Sequence, residues 1–188
     1  SLSNDGTYSG VTSTTLVVSG VTTAFNGYQF RAVAGNTAGA VNSNEVALTV
    51  QVAPAFTTAA TTSFTLGAAG SFTVTATGRP APTLSLASGT LPTGVSFTTT
   101  STGVDSTTAT LSGTPTTGGG TTVSLVLRAV NAAATVDQNF SLVVMTVPAI
   151  TTQPVNATGS LGDTITFTAA ASGSPAPTYL WQRLPSGT

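Results

Sequence analysis

The side chains able to carry acid–base, nucleophilic or metal chemistry are few in this 188-residue chain. Five carboxylates (Asp5, Glu45, Asp105, Asp137 and Asp163) and four arginines (Arg31, Arg79, Arg128 and Arg183) make up its charge; His, Cys and Lys are absent. Ser–His and Cys–His nucleophile pairs are therefore impossible. Zinc, haem and iron–sulfur centres lose their usual ligands. Without Lys there is neither a Schiff base nor a Lys–Asn or Lys–Asp isopeptide crosslink. Glycoside hydrolysis would need two carboxylates a few ångströms apart with separated pKa values. The five acids are instead scattered along the chain, and no motif unites them. Calcium takes about six to eight oxygens, usually from several carboxylates of one loop, and no Asp-x-Asp-type cluster exists. The expectation is a protein that is not an enzyme, with no catalytic residue, no cofactor and no metal site.

Composition narrows the classes further. Only 5% of residues are charged while 40% are hydrophobic, against about 25% charged in an ordinary soluble domain. About a third of the chain is Ser or Thr. A net charge of −1 provides no field for nucleic acid, whose binding rests on clustered Lys and Arg. No stretch approaches the roughly 18 apolar residues of a membrane span, and no charged segment with a long apolar core opens the chain. Near-neutral surfaces tend to associate, which suits a packed fibre. Such Thr-rich faces could also carry O-glycans.

The elements that must position these side chains are strands. Ser71-Phe72-Thr73-Val74-Thr75-Ala76-Thr77 and Thr164-Ile165-Thr166-Phe167-Thr168-Ala169 alternate apolar with Thr or Ser at period two. Phe72, Val74 and Ala76 then share one face and the threonines the other. β-Branched Thr suits the outer face of a strand and replaces charge there. No window shows the helical i, i+3, i+4, i+7 pattern. Strands of about five to eight residues, with Gly, Pro and Asn turns every 8–12 residues, indicate a sandwich or barrel. A disordered Ser/Thr stalk is the alternative; regular alternation with Val, Ile, Leu and Phe argues against it. Gly118-Gly119-Gly120 lacks the strand–loop–helix context of a phosphate loop and reads as a hairpin turn.

The chain also repeats itself. Pro54-Ala55-Phe56-Thr57-Thr58 returns as Pro148-Ala149-Ile150-Thr151-Thr152, 94 residues on. Gly78-Arg79-Pro80-Ala81-Pro82-Thr83 returns as Gly173-Ser174-Pro175-Ala176-Pro177-Thr178, 95 residues on. Arg31-Ala32-Val33 matches Arg128-Ala129-Val130, and Leu48-Thr49-Val50 matches Leu142-Val143-Val144. These anchors indicate tandem domains of about 95 residues, the size of an immunoglobulin-like (Ig-like) sandwich. On this phase residues 53–146 form one complete sandwich. Residues 1–52 are the C-terminal half of an Ig-like domain, and residues 147–188 the N-terminal half of one. The 188 residues are twice 94, one two-domain period opened inside a domain. Prolines at Val52-Ala53-Pro54 and Val147-Pro148 should limit the hinges and favour an extended array.

Two resemblances give this a family context. Ile150-Thr151-Thr152-Gln153-Pro154, Gly162, Phe167, Ala169, Gly173-x-Pro175-x-Pro177 and Trp181 resemble the start of a bacterial I-set-like Ig domain. Leu16-x-Val18, Asn26-Gly27-Tyr28-x-Phe30-x-Ala32, Asn36-x-x-Gly39 and Leu48-x-Val50 resemble the end of one. Residues 53–146 are similar to a second bacterial Ig-like family of large surface proteins. They carry Leu91-Pro92-Thr93-Gly94-Val95-x-Phe97, Leu111-x-Gly113-Thr114-Pro115, Ala129-x-Asn131 and Phe140-x-Leu142-x-Val144. The resemblance implies tandem antiparallel β-sandwiches. It places Tyr28 at the tyrosine corner, Trp181 in the core, and Ala169 opposite Phe30 where the family has its inter-sheet disulfide. The expected core is thus Tyr28, Phe30, Phe72, Val74, Phe97, Leu111, Ala169 and Trp181.

For Trp181 and Tyr179 the alternative is a sugar-stacking platform. Tyr8, in the loop-like run Gly6-Thr7-Tyr8-Ser9-Gly10, is the candidate exposed contact. Arg31 and Arg128, equivalent in the repeat, are either a solvated strand face or a repeated lateral contact. The function expected is structural: a repeat of a bacterial extracellular or cell-surface fibre, stalk or giant adhesin. Its half-domains would be completed by adjacent copies head to tail, and its outer partner would be a cell-surface glycan or host surface. The alternatives are a carbohydrate-binding accessory array beside a secreted enzyme, and a phage tail or capsid decoration.

Overall fold

The computed structural model describes residues 1–184. The period-two segment at residues 71–77 forms a strand, while that at 164–169 does not, its neighbour strands not being paired there. In chain order the strands are β1 (Tyr8–Ser9), β2 (Val17–Val18), β3 (Gln29–Phe30), β4 (Val33–Asn36), β5 (Gly39–Asn42), β6 (Val46–Ala47), β7 (Val52–Phe56) and β8 (Thr61–Thr65). There follow β9 (Gly70–Arg79), β10 (Thr83–Ser88), β11 (Val95–Thr102), β12 (Ser106–Gly113), β13 (Thr121–Val130), β14 (Thr135–Thr152) and β15 (Ala170–Ser174). A single 3-10 turn, Thr23–Phe25, is the one helical element among the described residues.

Strands β7 to β14 build a closed sandwich. One sheet runs β11-β12-β9-β7 and the other β10-β13-β14-β8. Alternation sends Val74, Ala76, Ala109 and Leu111 inward from the first, and Leu125, Leu127, Ala129, Phe140, Leu142 and Val144 inward from the second. All ten are buried. Phe72 and Phe140 meet between the sheets with ring centroids 5.6 Å apart. Phe72 and Phe97 lie half-buried against this cluster. Fully burying one Leu or Phe is worth about 1.5–3 kcal/mol, so an almost uncharged chain can hold this fold by its interior alone.

Two glycine motifs close one corner. Gly94 and Gly113 have φ of 88° and 136°, a region open to Gly but strained for other residues. Thr114 N–H donates to the Gly94 carbonyl at 3.0 Å, and a Cβ on Gly113 would stand 2.0 Å from that same oxygen. The Leu91–Phe97 and Leu111–Pro115 motifs are therefore two sides of one backbone contact.

Three features differ from the sequence expectations. The sandwich is not wholly antiparallel: β8 pairs parallel with β14, Thr61 opposite Ser141 through Thr65 opposite Met145. The chain steps from one sheet to the other after β7 without reversing, so it reaches β14 travelling the same way. Gly118-Gly119-Gly120 is not a hairpin turn, because β12 and β13 belong to different sheets; it is the crossing between them. Pro148 does not interrupt the chain either. β14 continues through it to Thr152, with a register shift between Thr146 and Ala149.

The flanking segments repeat parts of the same plan. After the shift, β14 pairs with β15, Ile150 opposite Ala171 and Ala149 opposite Ser172. In the closed sandwich β7 pairs with β9, Phe56 opposite Ala76 and Ala55 opposite Thr77. The two registers coincide at offsets of 94 and 95 residues. Before the sandwich lie two hairpins, β1–β2 and a bulged one of β3–β6 and β4–β5, in the order of β11–β12 and β13–β14.

Candidate functional site

Each of the five carboxylates holds a contact with a neighbouring arginine or backbone N–H. Asp137 accepts a forked contact from Arg128, which donates Nε–H to Oδ1 and Nη2–H to Oδ2 at 2.7 Å each. That hydrogen bond holds the Asp137 carboxyl below its ordinary range and raises Arg128 in turn. Arg31 Nη1 lies 3.4 Å from Glu45 Oε1, and Arg79 pairs with Asp105. Asp5 Oδ1 accepts the Thr7 and Tyr8 N–H groups at 2.7 Å each, and these bonds lower its pKa. Asp163 Oδ2 accepts the Ser160 N–H at 2.6 Å. Among the described residues no three acids gather to hold a metal ion. Arg128 sits on the exposed face of β13, engaged across to Asp137 of β14, while Arg31 lies exposed in the break between β3 and β4, opposite Glu45 in the break between β5 and β6.

What remains is two uncovered half-sandwiches. In the N-terminal one, β3–β4 is paired only on its β5–β6 side. Beside it lies an open groove of about 880 Å³ lined by Leu16, Val18, Val21, Phe30, Ala32 and Val46 among others. In the C-terminal one, only the stretch facing the end of β14 is a strand; residues 153–169 and 175–184 form no strand pairing among the described residues, though the Tyr179 hydroxyl accepts the Ala171 N–H at 2.8 Å. Ile165, Phe167, Tyr179 and Trp181 are exposed there.

The expected core residues divide accordingly. Val74 and Leu111 are in the closed core, while Phe30 and Ala169 are half-buried. Tyr28 and Trp181 are not core residues in this chain: they are 49% and 57% exposed. Their alternation points them correctly, but each belongs to a half in which only some of the strands of a sandwich are present to cover it. Tyr28 leans on Phe25 at 5.3 Å, and Trp181 on Phe167 at 6.5 Å. Tyr8 is not a free contact. It lies in β1, half-buried, its ring edge-on to Phe25 at 6.4 Å and Phe30 at 6.3 Å. The flanking glycines had suggested a loop; the Asp5 turn instead delivers Tyr8 into a hairpin.

One residue with a larger role was visible only as part of a motif. Asn131 Nδ2 donates to the carbonyls of Val52 and Pro80 at 2.8 Å each. Its Oδ1 accepts the N–H groups of Ala133 and Ala134. A single side chain thus ties the β13–β14 turn, the β9–β10 loop and the entry to the sandwich.

Against known proteins, no family profile matches the chain. Two structures of titin domains I67–I69 superpose with TM-scores of 0.55 and 0.56 at 18% identity. They cover 81% and 100% of this chain, and 54% and 68% of theirs. The fold is Ig-like, in tandem. The strand orders agree: β7-β9-β12-β11 follows the ABED sheet of such domains, and β10-β13-β14 its CFG sheet. Endoglucanase C of Cellulomonas fimi is 56% identical over 46 residues, which are 24% of this chain and 4% of that protein. The chain therefore corresponds to a small fraction of that relative's length. No helix among the described residues is long and apolar enough to cross a membrane.

Proposed function

We propose that this chain is a structural repeat of an extracellular fibre or stalk of bacterial surface type, its two half-sandwiches completed by the neighbouring copies on either side. The observation that carries this reading is complementarity. The N-terminal half holds the two hairpins that the C-terminal half lacks, and the C-terminal half holds the pair that the N-terminal half lacks. A closed Ig-like sandwich between them supplies the spacer.

The test is self-association of the 188-residue chain, followed by sedimentation velocity and negative-stain microscopy over a concentration series. Head-to-tail polymers should grow with concentration. A joint that covers several aromatic and aliphatic side chains should exceed the ~4 kcal/mol that corresponds to millimolar affinity. A monodisperse monomer throughout that range would overturn the reading.

A second reading has its own observations. Tyr179 and Trp181 are exposed, and the chain shares a segment with an endoglucanase. Both suit a carbohydrate-binding accessory module in which the two rings stack on sugar. Retention on insoluble cellulose, lost in Trp181→Ala while the chain stays monomeric, would favour it over the fibre.

A further inference from the structure

The junction between residues 1–51 and the closed sandwich is gripped by two asparagine side chains. On the sandwich side Asn131 Nδ2 donates to the Val52 and Pro80 carbonyls at 2.8 Å each. Its Oδ1 accepts the Ala133 and Ala134 N–H groups at 2.9 and 3.2 Å. A side-chain amide offers two N–H donors and a carbonyl with two lone pairs, so the whole capacity of Asn131 is used. On the other side Asn26 Oδ1 accepts the Val50 N–H at 2.9 Å. Gln51, between the two grips, is exposed and lies in no strand.

Space for the Asn131 amide is made by Gly78. A Cβ there would stand 2.9 Å from Asn131 Nδ2, 3.2 Å from Pro54 Cα and 3.3 Å from the Val52 oxygen. Side chains do not ordinarily approach so closely, and a methyl group at residue 78 would press the amide off its carbonyls. The Gly78 backbone is itself held, its N–H donating to the Asp105 carbonyl at 2.9 Å. The second junction of the chain has no such device, because β14 passes through it without a break.

We propose that Asn131 is a latch that sets the direction in which the chain enters the sandwich. With Val52 held from one side and Val50 from the other, the freedom of the preceding segment narrows to the soft backbone dihedrals around Gln51. Pro54 lies inside β7, beyond the latch, and its ring restricts φ only at its own residue. The amide therefore limits this hinge more than the proline does. The latch does not depend on the fibre reading or on what completes residues 1–52, since all four partners of Asn131 belong to the sandwich and its entry. Single hydrogen bonds of this kind contribute modestly to net stability, so the latch can be opened without unfolding the domain.

The test measures the spread of distances across the junction. The chain has no Cys, so Thr37→Cys and Thr122→Cys, both at exposed positions, place one spin label on each side of it. Pulsed electron–electron double resonance of the dilute full chain should give one narrow distance distribution. Asn131→Asp keeps an acceptor for Ala133 and Ala134 but sets a carboxylate oxygen where the Nδ2 donor stood. Asn131→Ala removes turn and latch together, and Gly78→Ala leaves the amide in place but crowds it. All three should broaden the distribution while the closed sandwich keeps its cooperative melting transition. A broad distribution in the parent chain, or a narrow one in Asn131→Asp, would overturn the proposal. Broadening in Asn131→Ala alone would assign the effect to the turn and overturn it too. If broadening came only with loss of the sandwich's own transition, Asn131 would hold the fold and not the junction, and the latch would fall.

Discussion

Leu127 and Phe30 occupy the same place in two sandwiches, one closed and one open, and truncating each measures what closure is worth. Leu127 is 2% exposed and surrounded by the core. Leu→Ala at such sites costs about 2.7–5 kcal/mol, the transfer loss plus the cavity. A sandwich of about 95 residues has roughly 5–14 kcal/mol in total, so Leu127→Ala removes at least about a fifth of it. With a shift of about 4–8 °C per kcal/mol at this size, the main thermal transition should fall by roughly 10–40 °C. Phe30 is half-buried against Tyr8, in a half-sandwich that contributes nothing to the closed core. In dilute chain Phe30→Ala should leave the main transition within about 2 °C. In assembled material it should weaken the joint by about 3–5 kcal/mol, the range for a buried Phe. Calorimetry of both variants, dilute and concentrated, reads the difference. If Phe30→Ala lowered the dilute transition as far as Leu127→Ala, Phe30 would already be in a closed core and the open-half reasoning would fail.

Three further outcomes follow from local geometry. Gly113→Ala sets a Cβ against the Gly94 carbonyl at a φ that disfavours side chains, so urea denaturation should show a loss of more than about 1 kcal/mol. Thr107 is 1% exposed and its hydroxyl meets no partner among the described residues; Thr107→Val should stabilise by roughly 1–2 kcal/mol in the same assay. The Asp137 and Asp5 pKa values are lowered on folding, so both groups stabilise the fold above the ordinary carboxylate range and lose that contribution as pH falls through their folded values. Melting temperature should therefore drop on acidification below about pH 4, and more steeply in the parent chain than in Asp137→Asn. Parallel profiles would remove Asp137 from the account.

The legible part of this fold was its periodicity. Alternation named Val74 and Ala76 as inward residues of β9 because the pattern is a property of the strand itself. The repeat offsets go further: the 94- and 95-residue spacings of the Pro-Ala and Gly-x-Pro-x-Pro motifs reappear as the matched registers of β7–β9 and β14–β15. Alternation cannot say whether anything lies opposite. Tyr28 and Trp181 point the right way and are still exposed, because burial is a relation between strands of two sheets and each half holds only some of them. Tyr8 failed for the reverse reason. Gly6 and Gly10 look like a loop, but the turn that sets Tyr8 in β1 depends on Asp5 and its two backbone donors. The parallel β8–β14 pair leaves no local trace, since a strand of alternating Thr and Ser reads alike in either direction.

The two junctions of the chain show how assembly would change it. At the second, β14 runs unbroken for 18 residues from one sandwich into the next. Its middle is held on both sides, by β13 and by β8. At the first, the equivalent path breaks off between β6 and β7, although Val50 N–H still reaches Asn26 Oδ1. The difference lies in the flanking strand. The counterpart of β8 falls near residues 155–159 at the 94-residue offset, and in this chain that stretch has no strand to lie against. Were a counterpart strand supplied there, as the proposed repeat array requires, residues 48–51 would gain the same two-sided support, and β6 and β7 should fuse into one strand as β14 has. Asn131 already holds the far side of that path by its bonds to Val52 and Pro80. A completed array would then carry its longest strands across the domain boundaries, so that backbone ladders, rather than hinges, set the stiffness of the shaft.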